Sequence, residues 1–237
     1  MGYPIVLDLR GRAVTVIGGG AVATRKIARL LDEGARVTVI SPSASESIQA
    51  WAGEGRVRLL VRAYESGDVE GAELVFAATD SAQVNAEVAA KARERGQWVN
   101  VADDSTPSDF TLPATAAFGL LQLAIDTSAG GPALSSALRQ HLEATLAPGW
   151  GRGASIFKEL RPLVRPLGDE ATRRVFWRML ASELPSAAED SPDELVAWVE
   201  KAAARSGLPF QADELEQAVR RAIEQHERLI GGHETAG

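Results

Sequence analysis

The stretch AVTVIGGGAVA, residues 13–23, decides the fold of the amino-terminal half of this chain. Ala13–Ile17 is a nearly continuous apolar run, which is typical of a strand buried on both faces of a sheet. Three glycines interrupt the run, and apolar residues then recur at helical spacing as far as Leu31. A glycine-rich turn between a strand and a helix is the setting of a dinucleotide-binding fingerprint. The stretch therefore predicts a strand, a nucleotide-binding turn and a helix.

Each position of this glycine turn has a predicted role. Gly18 permits the tight turn, and Gly20 lets a pyrophosphate approach the backbone N–H groups at the start of the helix. Ala23 stands where the fingerprint usually has its third glycine, which allows close packing of helix on strand. We predict that Gly18, Gly20, Ala21 and Val22 contact a dinucleotide cofactor. The alternative is a glycine turn that binds nothing.

Short β-branched runs alternate with longer helical patterns through the first hundred residues. Further strands are predicted at Val37–Ile40, Val57–Val61, Leu74–Ala78 and Trp98–Val101, and helical patterns at Ile48–Ala52 and Val84–Arg95. Such alternation predicts βαβ units, and the handedness of their crossovers produces a doubly wound parallel sheet. We therefore expect a Rossmann-like α/β domain that binds NAD over residues 1–109.

Three residues at strand ends are further candidates for cofactor binding. Ser41 and Pro42 follow the second strand, where an acidic residue usually holds the ribose hydroxyls of NAD. A serine can bond a ribose hydroxyl without repelling a 2′-phosphate, so the residues leave NAD and NADP open. Thr79 follows the fourth strand, at the edge where the ligand crevice lies. It is either a cofactor contact or the N-cap of the next helix.

The pattern changes after residue 109. Phe110–Leu112 and Leu120–Asp126 look like two strands that pair as a hairpin, and Pro132 opens a helix that runs to about Leu146. Beyond Pro148 only helices are predicted, at Ala154–Leu163, Glu170–Glu183, Pro192–Ser206 and Ala212–Ile230. We predict a small strand-pair and helix segment over residues 110–147 and an all-helical part over residues 148–237.

Composition excludes several functional classes. The 237 residues include no cysteine, which rules out a disulfide framework, a thiol nucleophile and a cysteine-ligated metal centre. The net charge of −7 offers no basic surface to nucleic acid or to an anionic membrane. The three histidines are too scattered to hold a metal ion, and no apolar stretch is long enough to span a bilayer. We expect a cytoplasmic protein that holds no metal.

One acidic residue is a candidate for catalysis. Asp103 ends the fifth predicted strand, at the edge that faces the ligand crevice. A carboxylate there can act as a general base, and the alternative is an ordinary loop or capping aspartate. The chain offers no other catalytic apparatus, which suggests a substrate that brings most of its own reactivity.

Several strings resemble one family in their order and spacing. They run through roughly residues 3–146: YPIVLDLRGR at 3–12, the glycine loop, VTVISP at 37–42, AATD at 77–80, VNVAD at 99–103 and SAGGPAL at 128–134. In these strings the chain resembles the precorrin-2 dehydrogenase and sirohydrochlorin ferrochelatase family, the amino-terminal module of siroheme synthase.

The resemblance implies NAD-dependent oxidation of precorrin-2 to sirohydrochlorin. In many members insertion of ferrous iron follows in the same cleft, and cobaltous ion is a further candidate substrate. Asp103 falls on the family's essential aspartate, and the loop containing Ser128, Gly130 and Gly131 would approach the tetrapyrrole. The resemblance also implies a homodimer whose strand-pair segment exchanges contacts across the two-fold axis, which makes residues 110–147 the dimerisation segment.

Two other functions remain open. The chain could be a non-catalytic NAD(P)-sensing Rossmann module with a helical tail that binds a partner, although such modules usually keep an acid where Ser41 stands. It could also be a dehydrogenase for another small substrate, which would require a histidine or lysine acid near the crevice. The first 140 residues contain no histidine.

Overall fold

A computed structural model of the chain describes residues 2–102, 108–128, 131–146, 149–183 and 191–231. The chain divides into two compact units, Met1–Leu112 and Pro113–Gly237, and each is described by itself. The finer division into segments 1–109, 110–147 and 148–237 stays a prediction.

The first unit contains a five-stranded parallel sheet. Its strands are β1 (Ala13–Ile17), β2 (Arg36–Ile40), β3 (Val57–Leu60), β4 (Leu74–Ala77) and β5 (Trp98–Val101), in the order β3-β2-β1-β4-β5. The order reverses direction between β1 and β4, which is where doubly wound sheets bind their ligands. The predicted Rossmann-like fold is confirmed.

Three helices connect these strands: α1 (Ala21–Asp32), α2 (Glu46–Gly53) and α3 (Ala82–Glu94). Two apolar clusters hold the unit together. One includes Val14, Val16, Ile27, Val39 and Phe76, and the other includes Ile17, Ile40, Val75, Val88 and Val99. Because side chains alternate along a strand, the central strands contribute residues to both clusters, which explains their nearly continuous apolar sequences.

The register of the sheet aligns the carboxyl ends of the strands. Ile17 of β1 lies opposite Ile40 of β2 and Ala77 of β4, and Ala77 lies opposite Val101 of β5. The ladder continues one residue further, since the N–H of Gly18 donates to the Ile40 carbonyl at 2.9 Å. The glycine loop and the residues that follow β2, β4 and β5 therefore lie along one edge.

The second unit begins with an antiparallel hairpin of β6 (Ala114–Phe118) and β7 (Leu121–Ile125). The predicted hairpin exists, but the prediction of its first strand at Phe110–Leu112 is wrong. Residues 108–110 lie along β5 instead: the N–H of Asp109 donates to the Val99 carbonyl at 2.8 Å. The Asp109 carboxylate in turn accepts from the N–H of Val99 at 3.0 Å.

Five helices follow the hairpin: α4 (Gly131–Thr145), α5 (Gly149–Val164), α6 (Glu170–Glu183), α7 (Pro192–Ser206) and α8 (Ala212–Gly231). The core shared by α5, α6, α7 and α8 includes Ile156, Leu160, Phe176, Leu180, Leu195 and Leu215. Helix α5 begins five residues before the predicted Ala154, because Gly149, Gly151 and Gly153 are buried within it. Among the described residues no helix is long and apolar enough to cross a membrane.

Candidate functional site

The first two glycines of the loop are required by neighbouring backbone. Gly18 has φ +123°, and a Cβ there would collide with the carbonyl oxygen of Ala78 just beyond β4. A Cβ on Gly19 would collide with the Ser43 carbonyl oxygen and lie 2.9 Å from the Ser41 hydroxyl. The role of Gly18 in the tight turn agrees with the sequence prediction. The requirement for Gly19 was not predicted, because it arises from residues more than twenty positions away.

The third glycine faces open space. Gly20 has φ −81°, and a Cβ there would meet no atom within 4 Å. Gly20 is the N-cap residue of α1, yet no side chain caps that helix and its first turn holds no acidic residue. The N–H groups of a first turn have no intrahelical partner and carry the positive end of the helix dipole. The residues present therefore fit the pyrophosphate of a dinucleotide.

The other two helices of this unit begin differently. Ser45 caps α2 by accepting from the N–H of Ile48 at 3.4 Å, and Ser81 caps α3 by accepting from the N–H of Val84 at 3.3 Å. These two helices use their own chain to satisfy N-terminal donors. Helix α1 alone of the three begins without a side-chain cap in the described structure.

Ser41 and Pro42 lie where the sequence prediction puts them, beside the glycine loop. Ser41 directly follows β2 and is only 6% exposed, whereas Pro42 is exposed. The segment after β2 is fastened to the loop, because the N–H of Ser45 donates to the Gly19 carbonyl at 2.9 Å. Their contact with a cofactor stays a prediction.

Thr79 is held at the carboxyl edge of β4 by the side chain of Asn85. The Asn85 Oδ1 accepts from the N–H of Thr79 at 3.1 Å and from its hydroxyl at 2.7 Å, while Nδ2 donates to the Thr79 carbonyl at 2.9 Å. The alternative role of Thr79 as an N-cap is wrong, since Ser81 caps α3. The buried Asn85, 7% exposed, was not among the predicted site residues.

Asp103 lies outside the described residues, but the residues on either side of the segment 103–107 are fixed at the carboxyl ends of β4 and β5. The N–H of Ala102 donates to the Ala77 carbonyl at 2.8 Å. On the other side, the Ser108 hydroxyl accepts from the N–H of Val101 at 2.9 Å. Ala102 and Ser108 therefore both lie at the carboxyl edge of the sheet.

A second anchor holds the returning chain. The buried Asn100 of β5 donates through Nδ2 to the Phe110 carbonyl at 2.9 Å and accepts from Lys26 Nζ at 3.0 Å. The Phe110 ring packs edge-on against Phe76, with ring centroids 5.6 Å apart. These contacts fix the position of Phe110 beside the end of β5. The sequence pattern did not predict them.

The predicted substrate loop precedes α4 in the second unit. Ser128 is exposed and has φ +52°, and its N–H donates to the Asp126 carboxylate at 2.9 Å. Gly131 has φ +79° and begins α4, whereas Gly130 lies outside the described residues. A left-handed serine is uncommon and costs backbone energy, so the Asp126 contact fixes an otherwise unfavourable turn.

Among the described residues, no group of three or more histidine, aspartate or glutamate side chains could hold a metal ion. His226 of α8 is 5% exposed, and its Nδ1 has no hydrogen-bond partner among the described residues. Burial, aided by the nearby Arg152 guanidinium, lowers the pKa of His226 below its ordinary value.

Comparison with known proteins shows which sequences and structures this chain resembles. Residues 5–114 match the sequence family described as "Putative NAD(P)-binding". The siroheme synthase of Methylococcus capsulatus is 40% identical over 175 residues, which is 73% of this chain and 37% of that protein. That of Xylella fastidiosa is 38% identical over 185 residues, 77% of this chain and 39% of that protein. The chain is a relative of the siroheme synthases.

A solved structure named "SirC, precorrin-2 dehydrogenase" extends the likeness beyond the nucleotide-binding unit. It matches with a TM-score of 0.68 at 26% identity, and the match covers 87% of this chain and 99% of that one. The predicted resemblance to this family is therefore confirmed. The match to this chain spans less than two fifths of each of the two siroheme synthases, but nearly the whole of the SirC chain.

Proposed function

We propose that this protein oxidises precorrin-2 to sirohydrochlorin with NAD as the hydride acceptor. The observation that carries the proposal is the open, uncapped start of α1 at Gly20, beside the point where the strand order reverses. A dinucleotide supplies the anion that this helix start favours. The likeness to the SirC structure over nearly all of that chain supports precorrin-2 as the substrate.

Seven residues would hold the cofactor. The backbone at Gly18, Gly20, Ala21 and Val22 receives the pyrophosphate, and Ser41, Pro42 and Thr79 line the crevice on either side of it. When bound, NAD supplies a hydride acceptor. Gly18 and Gly19 keep the loop pressed against the segments that follow β4 and β2, so the donors of α1 stay oriented without rearrangement.

Asp103 would act as the general base. Loss of a hydride from precorrin-2 leaves a cationic macrocycle, which becomes sirohydrochlorin when it also loses a proton. Asp103 directly follows Ala102 in sequence, and the N–H of Ala102 donates to the Ala77 carbonyl at the end of β4, the edge that holds the glycine loop. In our proposal this carboxylate accepts the proton. Because the macrocycle is electron-rich, it gives up a hydride readily and requires no further catalytic group.

The residues before α4 would bind the substrate. Ser128 and Gly130 precede α4 in sequence and Gly131 begins it, and the first turn of that helix contains no acidic residue. Such a helix start favours the carboxylates that a tetrapyrrole carries. The substrate is a polycarboxylate, so this contact would orient it rather than take part in the chemistry.

We also propose that the protein is a homodimer formed through the hairpin and α4. Helix α4 has no buried residue, and it exposes Leu134 by 54% and Leu138 by 40%. An apolar helix face of this kind is typical of an interface. Sedimentation should give twice the 25.1 kDa of one chain. Leu138→Glu should give monomers, whereas Val175→Glu, on the 44%-exposed Val175 of α6, should not.

Turnover under anaerobic conditions tests the proposed function. Enzymatically made precorrin-2 and NAD are mixed with wild type, with Asp103→Asn and with the matched control Asp104→Asn. We expect Asp103→Asn to lower kcat at least about a hundredfold, as loss of a general base does, and Asp104→Asn to retain most activity. NAD affinity, measured by calorimetry, should stay unchanged in both variants. Full turnover by Asp103→Asn would remove that residue from the mechanism.

The same sample also tests metal insertion and the alternative of a non-catalytic NAD(P)-sensing module. Addition of ferrous or cobaltous ion after dehydrogenation should give metal insertion faster than in protein-free controls, because we propose that the same carboxylate takes the pyrrole protons. An NAD(P)-sensing module would instead bind the dinucleotide and leave precorrin-2 unchanged. The reaction draws on the cellular NAD pool, so we propose the cytoplasm as its location.

A further inference from the structure

The turn that follows β4 contains a network of hydrogen bonds between Thr79 and Asn85 that has no role in the mechanism proposed above. Asn85 of α3 reaches back and bonds all three polar groups of Thr79: its N–H, its hydroxyl and its carbonyl. Asn85 is 7% exposed, so these bonds are shielded from water. The backbone of this turn is also the wall against which Gly18 packs, because a Cβ on Gly18 would lie 3.2 Å from the Thr79 nitrogen.

The bonding pattern assigns the orientation of the Asn85 amide. Its Oδ1 faces two donors, the Thr79 N–H and hydroxyl, and its Nδ2 faces an acceptor, the Thr79 carbonyl oxygen. Exchange of the oxygen and nitrogen would place a donor against the Thr79 N–H and an acceptor against the carbonyl. Only one orientation satisfies all three contacts.

This orientation decides what the Thr79 hydroxyl can offer to a ligand. Its single hydrogen points to Asn85 Oδ1, the nearest acceptor at 2.7 Å, in preference to the Ser81 carbonyl at 3.2 Å. The hydroxyl also accepts from the N–H of Ser81 at 3.2 Å. A hydroxyl has one donor and two acceptor sites, so one acceptor site remains. Thr79 can therefore receive a hydrogen bond from a ligand but has no hydrogen left to give.

We propose that Asn85 is a positioning residue of the dinucleotide site, which holds Thr79 beside the glycine loop as a hydrogen-bond acceptor for a donor group of NAD. The donors that NAD carries are its ribose hydroxyls and its carboxamide NH₂ group. This inference rests on the cofactor site proposed above. Asn85 acts through Thr79 and has no contact with the cofactor itself.

Calorimetric titration with NAD, which requires no turnover, tests the proposal. Thr79→Val removes the acceptor and should weaken NAD binding about tenfold, the effect of one hydrogen bond, whereas Thr79→Ser keeps the hydroxyl and should bind within about twofold of wild type. Asn85→Ala should weaken binding by a similar factor. The control Gln97→Ala removes another side-chain amide that bonds backbone, to the Val69 and Ala72 carbonyls at the opposite edge of the sheet, and should leave NAD affinity unchanged.

The double variant distinguishes positioning from general stabilisation. If Asn85 acts through Thr79, adding Asn85→Ala to Thr79→Val causes little further loss, whereas independent effects would multiply to about a hundredfold. Multiplied effects, or an Asn85→Ala protein that binds NAD like wild type, would overturn the proposal. If Asn85→Ala does not fold, equal affinities for Thr79→Val and Thr79→Ser would still overturn it. Absence of NAD binding by wild type would overturn the proposed function instead.

A cofactor analogue identifies the donor group. In 3-acetylpyridine adenine dinucleotide a methyl group replaces the carboxamide NH₂. If that NH₂ is the donor, Thr79→Val binds the analogue as well as wild type does. If a ribose hydroxyl is the donor, the tenfold loss persists with the analogue. Either pattern supports an acceptor role for Thr79, and equal binding of both dinucleotides by wild type and Thr79→Val contradicts it.

Discussion

Glycines make room in both units of this protein, but what occupies the room differs. In the second unit a Cβ on Gly119 would lie 2.5 Å from the Nδ1 of His226, and a Cβ on Gly151 would collide with the Phe118 carbonyl oxygen and lie 2.8 Å from the Cε1 of His226. The imidazole therefore fills the space at Gly119 and, together with the Phe118 backbone, the space at Gly151. In the first unit a Cβ on Gly20 would meet no atom within 4 Å.

The difference separates packing from binding. Gly119 and Gly151 make room for atoms of the same unit, the His226 ring and the Phe118 backbone, so their role is complete within the described structure. Gly18 and Gly19 also serve internal packing, against backbone beyond β4 and β2. Gly20 has no such neighbour, and it begins the one sheet-flanking helix that no side chain caps. The unused space and the unused donors coincide, which is why we assign them to a ligand.

The largest expected effect tests whether the packing at Gly19 requires a glycine. Gly19→Ala forces a Cβ into the Ser43 backbone, so it should lower the free energy of unfolding by about 3 kcal/mol or more, as severe steric substitutions do. Gly53→Ala is the matched control, because that glycine ends α2 in open space. Denaturant unfolding compares the two. Equal stability of both variants would mean that the loop tolerates a side chain at Gly19.

A second substitution separates stability from binding at the same loop. Gly20→Ser gives α1 the kind of cap that Ser45 gives α2, and serine is better than glycine at an N-cap by a few tenths of a kcal/mol. Stability should therefore stay the same or rise by about that amount. The new hydroxyl occupies the donors meant for pyrophosphate, so NAD affinity should fall at least about tenfold. Unchanged NAD affinity would contradict our assignment of this helix start.

The imidazole in the second unit makes that region sensitive to pH. The folded-state pKa of His226 is lowered by burial and by Arg152, so the unfolded chain binds its proton more readily. Stability should be complete above about pH 6.5, the ordinary histidine value, and should decline as pH falls through the lower folded-state pKa. Thermal unfolding between pH 7.5 and 5 measures this. His226→Gln should reduce the dependence, and His141→Gln, at an exposed site, should leave it intact.

The smallest expected effect concerns a capped helix. Ser81→Ala removes the acceptor for the Val84 N–H and should cost about 1 kcal/mol of stability. Only backbone groups of Ser81 contact Thr79, so NAD affinity should stay within about twofold of wild type. A large loss of NAD affinity would show that the cap, and not Asn85 alone, maintains the turn.

Much of the first unit could be predicted because its signals are local. A strand buried on both faces reads as an apolar run, and the glycine loop sits between such a run and an amphipathic helix. Gly19 and Asn85 were missed because their partners are distant in sequence or become partners only when a turn has formed. Gly19 is required by Ser43, and Asn85 is required by the backbone of Thr79.

The predicted strand boundaries of the hairpin were wrong for a related reason. Phe110–Leu112 has the apolar character of a strand, but Asp109 and Asn100 fasten that stretch beside β5. The true strand β6, ATAAF, consists mainly of small residues and carries little strand signal. Helix α5 begins early for the same kind of reason, since its glycines are helix breakers by propensity but allow close packing, as Gly151 does against Phe118.

The central claim is that this chain removes a hydride from precorrin-2 and transfers it to NAD. The most direct measurement is anaerobic mixing of the purified wild-type protein with precorrin-2 and NAD, with NADH and sirohydrochlorin followed by absorbance in the same cuvette. We predict that one NADH forms for each sirohydrochlorin. Binding of NAD without formation of either product would leave the nucleotide site standing and contradict the proposed reaction.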